Sequence, residues 1–107
     1  MVIIEFPTFT RAITALLSDK EYAELRRALI RRPDMGHLIP NGKGLRKVCW
    51  TSPREDKRNE MQIIYYWVTA DEQVLMLFAH TKNQQSGLTE EEKQTLVKLI
   101  EEELKDG

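Results

Sequence analysis

The apolar residues in the first third of the chain change from a continuous run to a helical spacing. Residues 2–6 (VIIEF) are almost wholly apolar and predict a short strand. Residues 8–17 place apolar side chains at the spacing of one helix face, which predicts a helix. Ser18 and Glu21 then form a capping-box pattern, so a second helix is predicted over 19–32. The chain therefore begins in the order β-α-α.

The remainder of the chain predicts three strands and a final helix. Residues 34–44 contain three glycines and a proline, which predict a turn-rich connection. Runs of β-branched, aromatic and other apolar residues predict strands over 45–50, 61–68 and 73–80. A second capping-box pattern precedes an amphipathic segment and predicts a helix over 90–104.

The resulting order, β-α-α-β-β-β-α, predicts one α+β domain over residues 1–107 with an antiparallel sheet. Two polar segments, 51–60 and 82–87, follow the first and third strands of the predicted meander. Because antiparallel strands alternate in direction, both segments belong to the same end of the sheet. We therefore expect the charged and titratable residues of this end to meet. They are Arg54, Lys57, Arg58, His80 and Lys82.

Charge is distributed unevenly along a chain of 107 residues that is 41% apolar and has a formal net charge of −1. Residues 20–58 hold eleven Lys and Arg against five Asp and Glu, whereas residues 88–107 hold three Lys against seven Asp and Glu. The middle could attract an anion, although solvated helix faces give the same pattern. One cysteine, no long apolar run and no signal-peptide pattern predict a cytoplasmic protein without a membrane span.

The stretch NGKGLRKVCW, residues 41–50, brings three cations to the start of a predicted strand. Its glycines would let a backbone approach a phosphate, or they are plain turn residues. Strand alternation predicts two faces. One face carries Leu45, Lys47 and Cys49, and the other carries Arg46, Val48 and Trp50. Arg46 and Lys47 are then either anion-binding cations or surface side chains.

Few other residues suggest chemistry. His37 and His80 are far apart and no carboxylate stands at metal-ligand spacing, so we expect no metal site. His80 ends a strand and either has a structural role or transfers a proton near neutral pH. The aromatic residues of 65–67 are expected in the core, with base stacking as the alternative.

Several short motifs, in this order and spacing, resemble the RelE/HigB-like toxins of bacterial type II toxin–antitoxin modules, in particular the HigB-type branch. The resemblance covers about residues 15–105. The matching residues are Leu17-Ser18 with Glu21-Tyr22, Pro33 with Gly36, Gly42 to Lys47, Ile63 to Tyr66, and Lys82-Asn83.

The resemblance implies a small twisted antiparallel sheet with two helices before it and one after it. It also implies an endoribonuclease that cuts messenger RNA, usually on the ribosome, without metal or cofactor, and is neutralised by a cognate antitoxin. The 2′-OH of the RNA attacks the neighbouring phosphate while protein cations hold the developing charge. Direct DNA binding is not expected. The implied catalytic residues are Lys47, Lys82 and His80, and the implied RNA-binding residues are Lys43, Arg46, Arg54, Lys57 and Arg58.

The sequence departs from the toxin pattern at three positions. Cys49 and Gln62 stand where the family usually carries basic residues, and His80 stands where a tyrosine is usual. A lost charge contact commonly lowers a rate ~10²–10³-fold. The alternatives are therefore a non-catalytic relative that retains antitoxin or ribosome binding, and a general interaction module that uses the hairpin and the acidic helix.

Overall fold

The computed structural model describes residues 1–51, 60–81, 84–85 and 87–105. These residues form three helices and one five-stranded sheet, so the α+β class is confirmed. The elements are β1 (Val2–Glu5), α1 (Pro7–Leu16), α2 (Asp19–Arg31), β2 (His37–Leu38), β3 (Leu45–Trp50), β4 (Met61–Val68), β5 (Gln73–Thr81) and α3 (Glu90–Lys105).

The sheet has the order β1-β5-β4-β3-β2, and its centre is the predicted antiparallel meander of β3, β4 and β5. The prediction of a wholly antiparallel sheet is wrong at one edge, because β1 pairs with β5 in parallel. The predicted order also lacks β2, which pairs with β3 through His37 and Leu38. Both residues of β2 are exposed, so no burial pattern marks this strand in the sequence.

Helices cover both faces of the sheet. The α1/α2 face packs against the first two helices and contains the larger cluster of buried apolar residues. The α3 face packs against the last helix through a second cluster. The sheet residues of the α1/α2 face include Val48, Met61, Ile63, Tyr65, Val74, Met76 and Ala79. Those of the α3 face include Leu45, Ile64, Val68, Leu75 and Leu77.

The register between β4 and β5 shifts by one residue in the middle of the pair. Tyr65 pairs with Met76, but Ile64 pairs with Phe78, so Leu77 is the extra residue of a bulge. Leu77 and Phe78 both contact the α3-face cluster, although they are adjacent in sequence. The bulge therefore reverses which residues of the last part of β5 point to each face.

Both predicted capping boxes are confirmed. The Ser18 amide donates to Glu21 Oε1 at 3.0 Å, and the Glu21 amide donates to Ser18 Oγ at 3.2 Å. At the start of α3, Thr89 and Glu92 exchange the corresponding bonds at 2.9 and 3.1 Å. None of the helices in the described part of the chain is both long and apolar enough to cross a membrane.

We expect Ser18→Ala to lower the free energy of unfolding by about 1 kcal/mol, because the amide of Glu21 loses its acceptor at the start of α2. Urea denaturation measures the change. Ser18→Asp is the matched control, since aspartate caps helices about as well as serine and should leave stability nearly unchanged. Equal losses in the two variants would contradict a capping role for Ser18.

Candidate functional site

The three residues that depart from the toxin pattern lie side by side in the sheet. Cys49 on β3 pairs with Gln62 on β4, and Gln62 pairs with His80 on β5. Directly paired residues on neighbouring strands point to the same face. Cys49 is exposed, whereas Gln62 and His80 are only 4% and 2% exposed. We call these three residues the polar row.

The bulge is what places His80 in this row. Without the bulge, the register set by the pair of Tyr65 and Met76 would continue to the end of β5. Gln62 would then pair with Ala79, and His80 would pair with Met61. Met61 belongs to the cluster on the α1/α2 face. The extra residue at Leu77 instead turns His80 to the α3 face, beside Gln62.

Lys47 lies on the same face as the polar row. It is two residues before Cys49 on β3, and its own row continues through Ile64 and Phe78. Lys47 is half-buried, at the margin of the apolar cluster that contains Ile64. The structure therefore brings Lys47 and His80 to one face in adjacent rows.

Arg46 lies on the opposite face and is not brought together with Lys47. Its Nη1 donates hydrogen bonds to the carbonyl oxygens of Gly36 at 2.8 Å and of Asp34 at 3.3 Å. The predicted separation of Arg46 from Lys47 across the strand is confirmed. The guanidinium of Arg46 thus holds the turn that follows α2.

Tyr65 holds the same turn from the middle of the sheet. Its hydroxyl donates to Pro33 O at 2.8 Å and accepts from the Gly36 amide at 2.9 Å. A Cβ at Gly36 would lie 2.8 Å from Tyr65 Cε1, so the ring leaves room only for glycine. Burial raises the pKa of Tyr65, while the bond from Gly36 and the charge of Arg46 act in the opposite direction. Tyr65 is a core residue, as predicted.

Lys43 lies away from the polar row. It precedes β3 in a left-handed conformation with φ 52°, and its Nζ contacts Glu101 Oε1 of α3 at 3.0 Å. The strand from Leu45 to Cys49 separates it from the row by ~13 Å. Because the ion pair with Glu101 is exposed at both ends, it contributes little to stability.

The tautomer of neutral His80 follows from its contacts. Nδ1 lies 3.2 Å from the carbonyl oxygen of Thr81, and a carbonyl can only accept. In the neutral tautomer that lets Nδ1 donate to this carbonyl, Nε2 carries the lone pair. Nε2 and Oε1 of Gln62 are both buried, and neither has a hydrogen-bond partner among the described residues. The ring of Phe78 lies 5.6 Å from the imidazole, centroid to centroid.

Glu92, in the first turn of α3, also interacts with His80. The Thr89 amide is the main cause of the lowered pKa of this carboxyl, and the charge of His80 contributes in the same direction. The carboxylate also accepts from Gln85 Nε2 at 2.9 Å. The start of α3 therefore brings negative charge near the polar row.

Four predicted site residues lie outside the described residues: Arg54, Lys57, Arg58 and Lys82. The segment 52–59 joins Thr51 to Glu60, and residues 82–83 follow Thr81. Next to these segments, Trp50 at the end of β3 pairs with Met61 at the start of β4. Met61 also pairs with Thr81 at the end of β5, so these three residues directly follow the polar row along the sheet. The described flanks of both segments thus lie beside the polar row, at the sheet end predicted from the sequence.

The sequence comparison with the toxin pattern marks Gln62 only as the loss of a basic residue. The sequence contains a further indication that Gln62 has a special role, because it is the one amide side chain in the otherwise apolar and aromatic strand β4. Among the described residues, no three His, Cys, Asp or Glu side chains form a cluster that could hold a metal ion. No protein-family model matches this chain.

Proposed function

We propose that the protein is the toxin of a type II toxin–antitoxin module, with a RelE/HigB-like fold, and that it cleaves messenger RNA on the ribosome without a metal ion. The supporting observation is the position of Lys47 and His80 in adjacent rows of one sheet face. The flanks of the two segments that carry Lys82 and the cations of 52–59 lie at the same end of the sheet. An RNA phosphate at this end would meet positive charge beside a proton acceptor.

In the proposed reaction, Lys47 and Lys82 hold the scissile phosphate and stabilise the charge that develops on it. His80 Nε2 accepts the proton of the 2′-OH. The 2′ oxygen then bonds to phosphorus, and the bond from phosphorus to the 5′ oxygen breaks. The products are a 2′,3′-cyclic phosphate and a 5′-OH whose proton comes from water, and His80 then returns its proton to water. Only RNA supplies the attacking hydroxyl.

The remaining predicted cations have different roles in the proposed complex with RNA. Arg54, Lys57 and Arg58 are assigned to contacts with the RNA backbone, as is Lys43, which lies away from the polar row. Arg46 supports the site indirectly, because its guanidinium is engaged by the carbonyl oxygens of Gly36 and Asp34. We therefore propose that Arg46 supports the turn and does not itself bind RNA.

His80 Nε2 is shielded from solvent in the unliganded chain. The proposed reaction therefore requires the groups that cover the imidazole to move when RNA binds. Catalytic hydrogen bonds often form only in the substrate complex, so the apo geometry is compatible with this requirement. In the cell we place the protein in the cytoplasm, bound to its antitoxin until the antitoxin is removed.

The test of function is cleavage of messenger RNA in a reconstituted translation system, with 5′ ends mapped by primer extension. We expect new ends at fixed positions within codons, and their loss in the Lys47→Ala/Lys82→Ala double variant. Naked messenger RNA is the control for ribosome dependence. Absence of new ends with folded protein over a wide concentration range would contradict the nuclease proposal.

One observation favours a second candidate, a non-catalytic protein that binds the ribosome or an antitoxin. Gln62 and His80 are buried, and Cys49 is exposed but is not a basic residue, so the polar row presents no exposed basic side chain to a phosphate. Co-sedimentation with ribosomes distinguishes the candidates. Binding without any cleavage supports the second candidate, and binding with codon-positioned cleavage supports the first.

A further inference from the structure

The last part of β5 has an outer edge that β1 does not cover. Two hydrogen bonds show which backbone groups face outward along it. Met76 O accepts from the Phe6 amide at 2.9 Å, at the point where the chain leaves β1. The Thr81 amide donates to Gln84 Oε1 at 2.9 Å, and Thr81 O accepts from the Gln84 amide at 3.1 Å. Because backbone groups alternate in direction along a strand, Ala79, two residues before Thr81, also faces outward.

The bulge reconciles these two bonds. Met76 is at an even position and Thr81 at an odd one, so a regular strand could not turn the backbone groups of both outward. The extra residue at Leu77 removes the conflict and leaves Ala79 as the outward-facing residue between them.

The backbone groups of Ala79 are buried without a partner at this edge. The residue is only 3% exposed, and among the described residues neither its amide nor its carbonyl bonds to a neighbouring element on the outer side. Buried backbone donors and acceptors without partners are rare in folded proteins and costly. The edge at Ala79 therefore has the properties of a site that a ligand completes.

A cavity of about 300 Å³ lies beside this edge. Ala12, Ala15 and Leu16 of α1 form one wall, and Phe78 and His80 flank Ala79 on the other. The walls are thus mainly apolar, and small on the side of α1. The volume is at the lower end of the range for small-molecule pockets.

We propose that this cavity binds one nucleobase, whose polar edge pairs with the amide and the carbonyl of Ala79. A nucleobase is planar with apolar faces, and its edge carries a donor and an acceptor side by side. An added strand fits less well, because Phe6 and Gln84 already occupy the outward-facing groups on either side of Ala79. Only one residue of the edge is free, which suits a single planar group.

The choice of RNA as the source of the base rests on the proposed function, which places the scissile phosphate beside His80. His80 follows Ala79 in the chain and lines the same cavity. A base held there belongs to a nucleotide at the cleavage site, and its binding keeps the ribose close to His80. The cavity would then give cleavage a preference among the bases.

The test is an NMR titration of the intact ¹⁵N-labelled chain with AMP, CMP, GMP and UMP in turn. We expect at least one nucleotide to move the Ala79 amide resonance downfield, as a new hydrogen bond does. Ribose 5-phosphate, which has no base, should leave this resonance in place. N-methylacetamide, which has a peptide donor and acceptor but no ring, should need a much higher concentration than the nucleotide.

A pair of variants tests the cavity itself. Ala15→Leu fills it from the exposed side of α1 and should weaken nucleotide binding at least about tenfold. Thr14→Leu is the matched control, because Thr14 is also exposed on α1 but does not line the cavity. We expect it to bind the nucleotide as the unaltered chain does.

An Ala79 resonance that no nucleotide moves overturns the proposal, as does an equal response to ribose 5-phosphate. An equal response to N-methylacetamide would assign the edge to a peptide group and would also overturn it. The titration requires no cleavage. Codon-positioned cleavage without nucleotide binding at Ala79 would refute the cavity alone, whereas binding at Ala79 by a protein that never cleaves RNA would refute the nuclease proposal alone.

Discussion

Lys47→Ala is expected to lower the rate of ribosome-dependent RNA cleavage ~10²–10³-fold, the usual loss when one preorganised charge contact to a transition state is removed. Among the described residues of the sheet, Lys47 is a cation on the same face as His80. It lies in the row next to the polar row on that face. The measurement is the initial rate of primer-extension product formation at saturating ribosomes.

Lys43→Ala is the matched control for this prediction. It removes the same side chain from the same stretch of sequence, but Lys43 precedes β3 and pairs with Glu101 of α3. We expect its rate to stay within about threefold of the unaltered protein, as for a rim charge that affects binding only weakly. Equal losses in Lys43→Ala and Lys47→Ala would show that the protein needs positive charge in general and would contradict the assigned site.

The central strands and all three helices could be predicted because each has its own repeating pattern. The run of β4 and the capping box of α2 are local signals, and the structure reproduces them within one residue. The direction of β1 could not be predicted, because its partner β5 begins about seventy residues later and no local pattern records it. The two exposed residues of β2 give no periodicity at all.

Part of the candidate site could likewise be predicted from local patterns, and part of it could not. Alternation along β3 correctly predicted that Lys47 and Cys49 share a face and that Arg46 lies on the other. The polar row could not be predicted, because it depends on the one-residue bulge at Leu77 that pairs His80 with Gln62. The bonds from Arg46 to the turn are tertiary contacts, so no local pattern in the sequence could predict them.

Tyr65→Phe is expected to lower the free energy of unfolding by about 2–4 kcal/mol. The substitution removes one oxygen and leaves two backbone groups, the amide of Gly36 and the carbonyl of Pro33, without their partner. A buried group left unsatisfied costs ~1–3 kcal/mol. Urea denaturation measures the loss, and the fold of the variant can be checked by its NMR spectrum.

Tyr66→Phe is the matched control, on the neighbouring residue and the opposite face. The Tyr66 ring packs beside Gly44, and its hydroxyl makes no hydrogen bond with the described residues. We expect a change within ~0.5 kcal/mol, as for other substitutions that break no buried bond. Similar losses in both tyrosine variants would contradict the role of the Tyr65 hydroxyl.

Arg46 and Tyr65 both form hydrogen bonds with Gly36, so a double variant tests whether they stabilise the same turn. If the two side chains hold one turn, removing either releases much of what the other stabilises, so their effects cannot add. We expect Arg46→Met combined with Tyr65→Phe to destabilise the protein by at least ~0.5 kcal/mol less than the sum of the single variants. Strict additivity would mean that the two residues stabilise the fold independently, and that Arg46 remains open to another role.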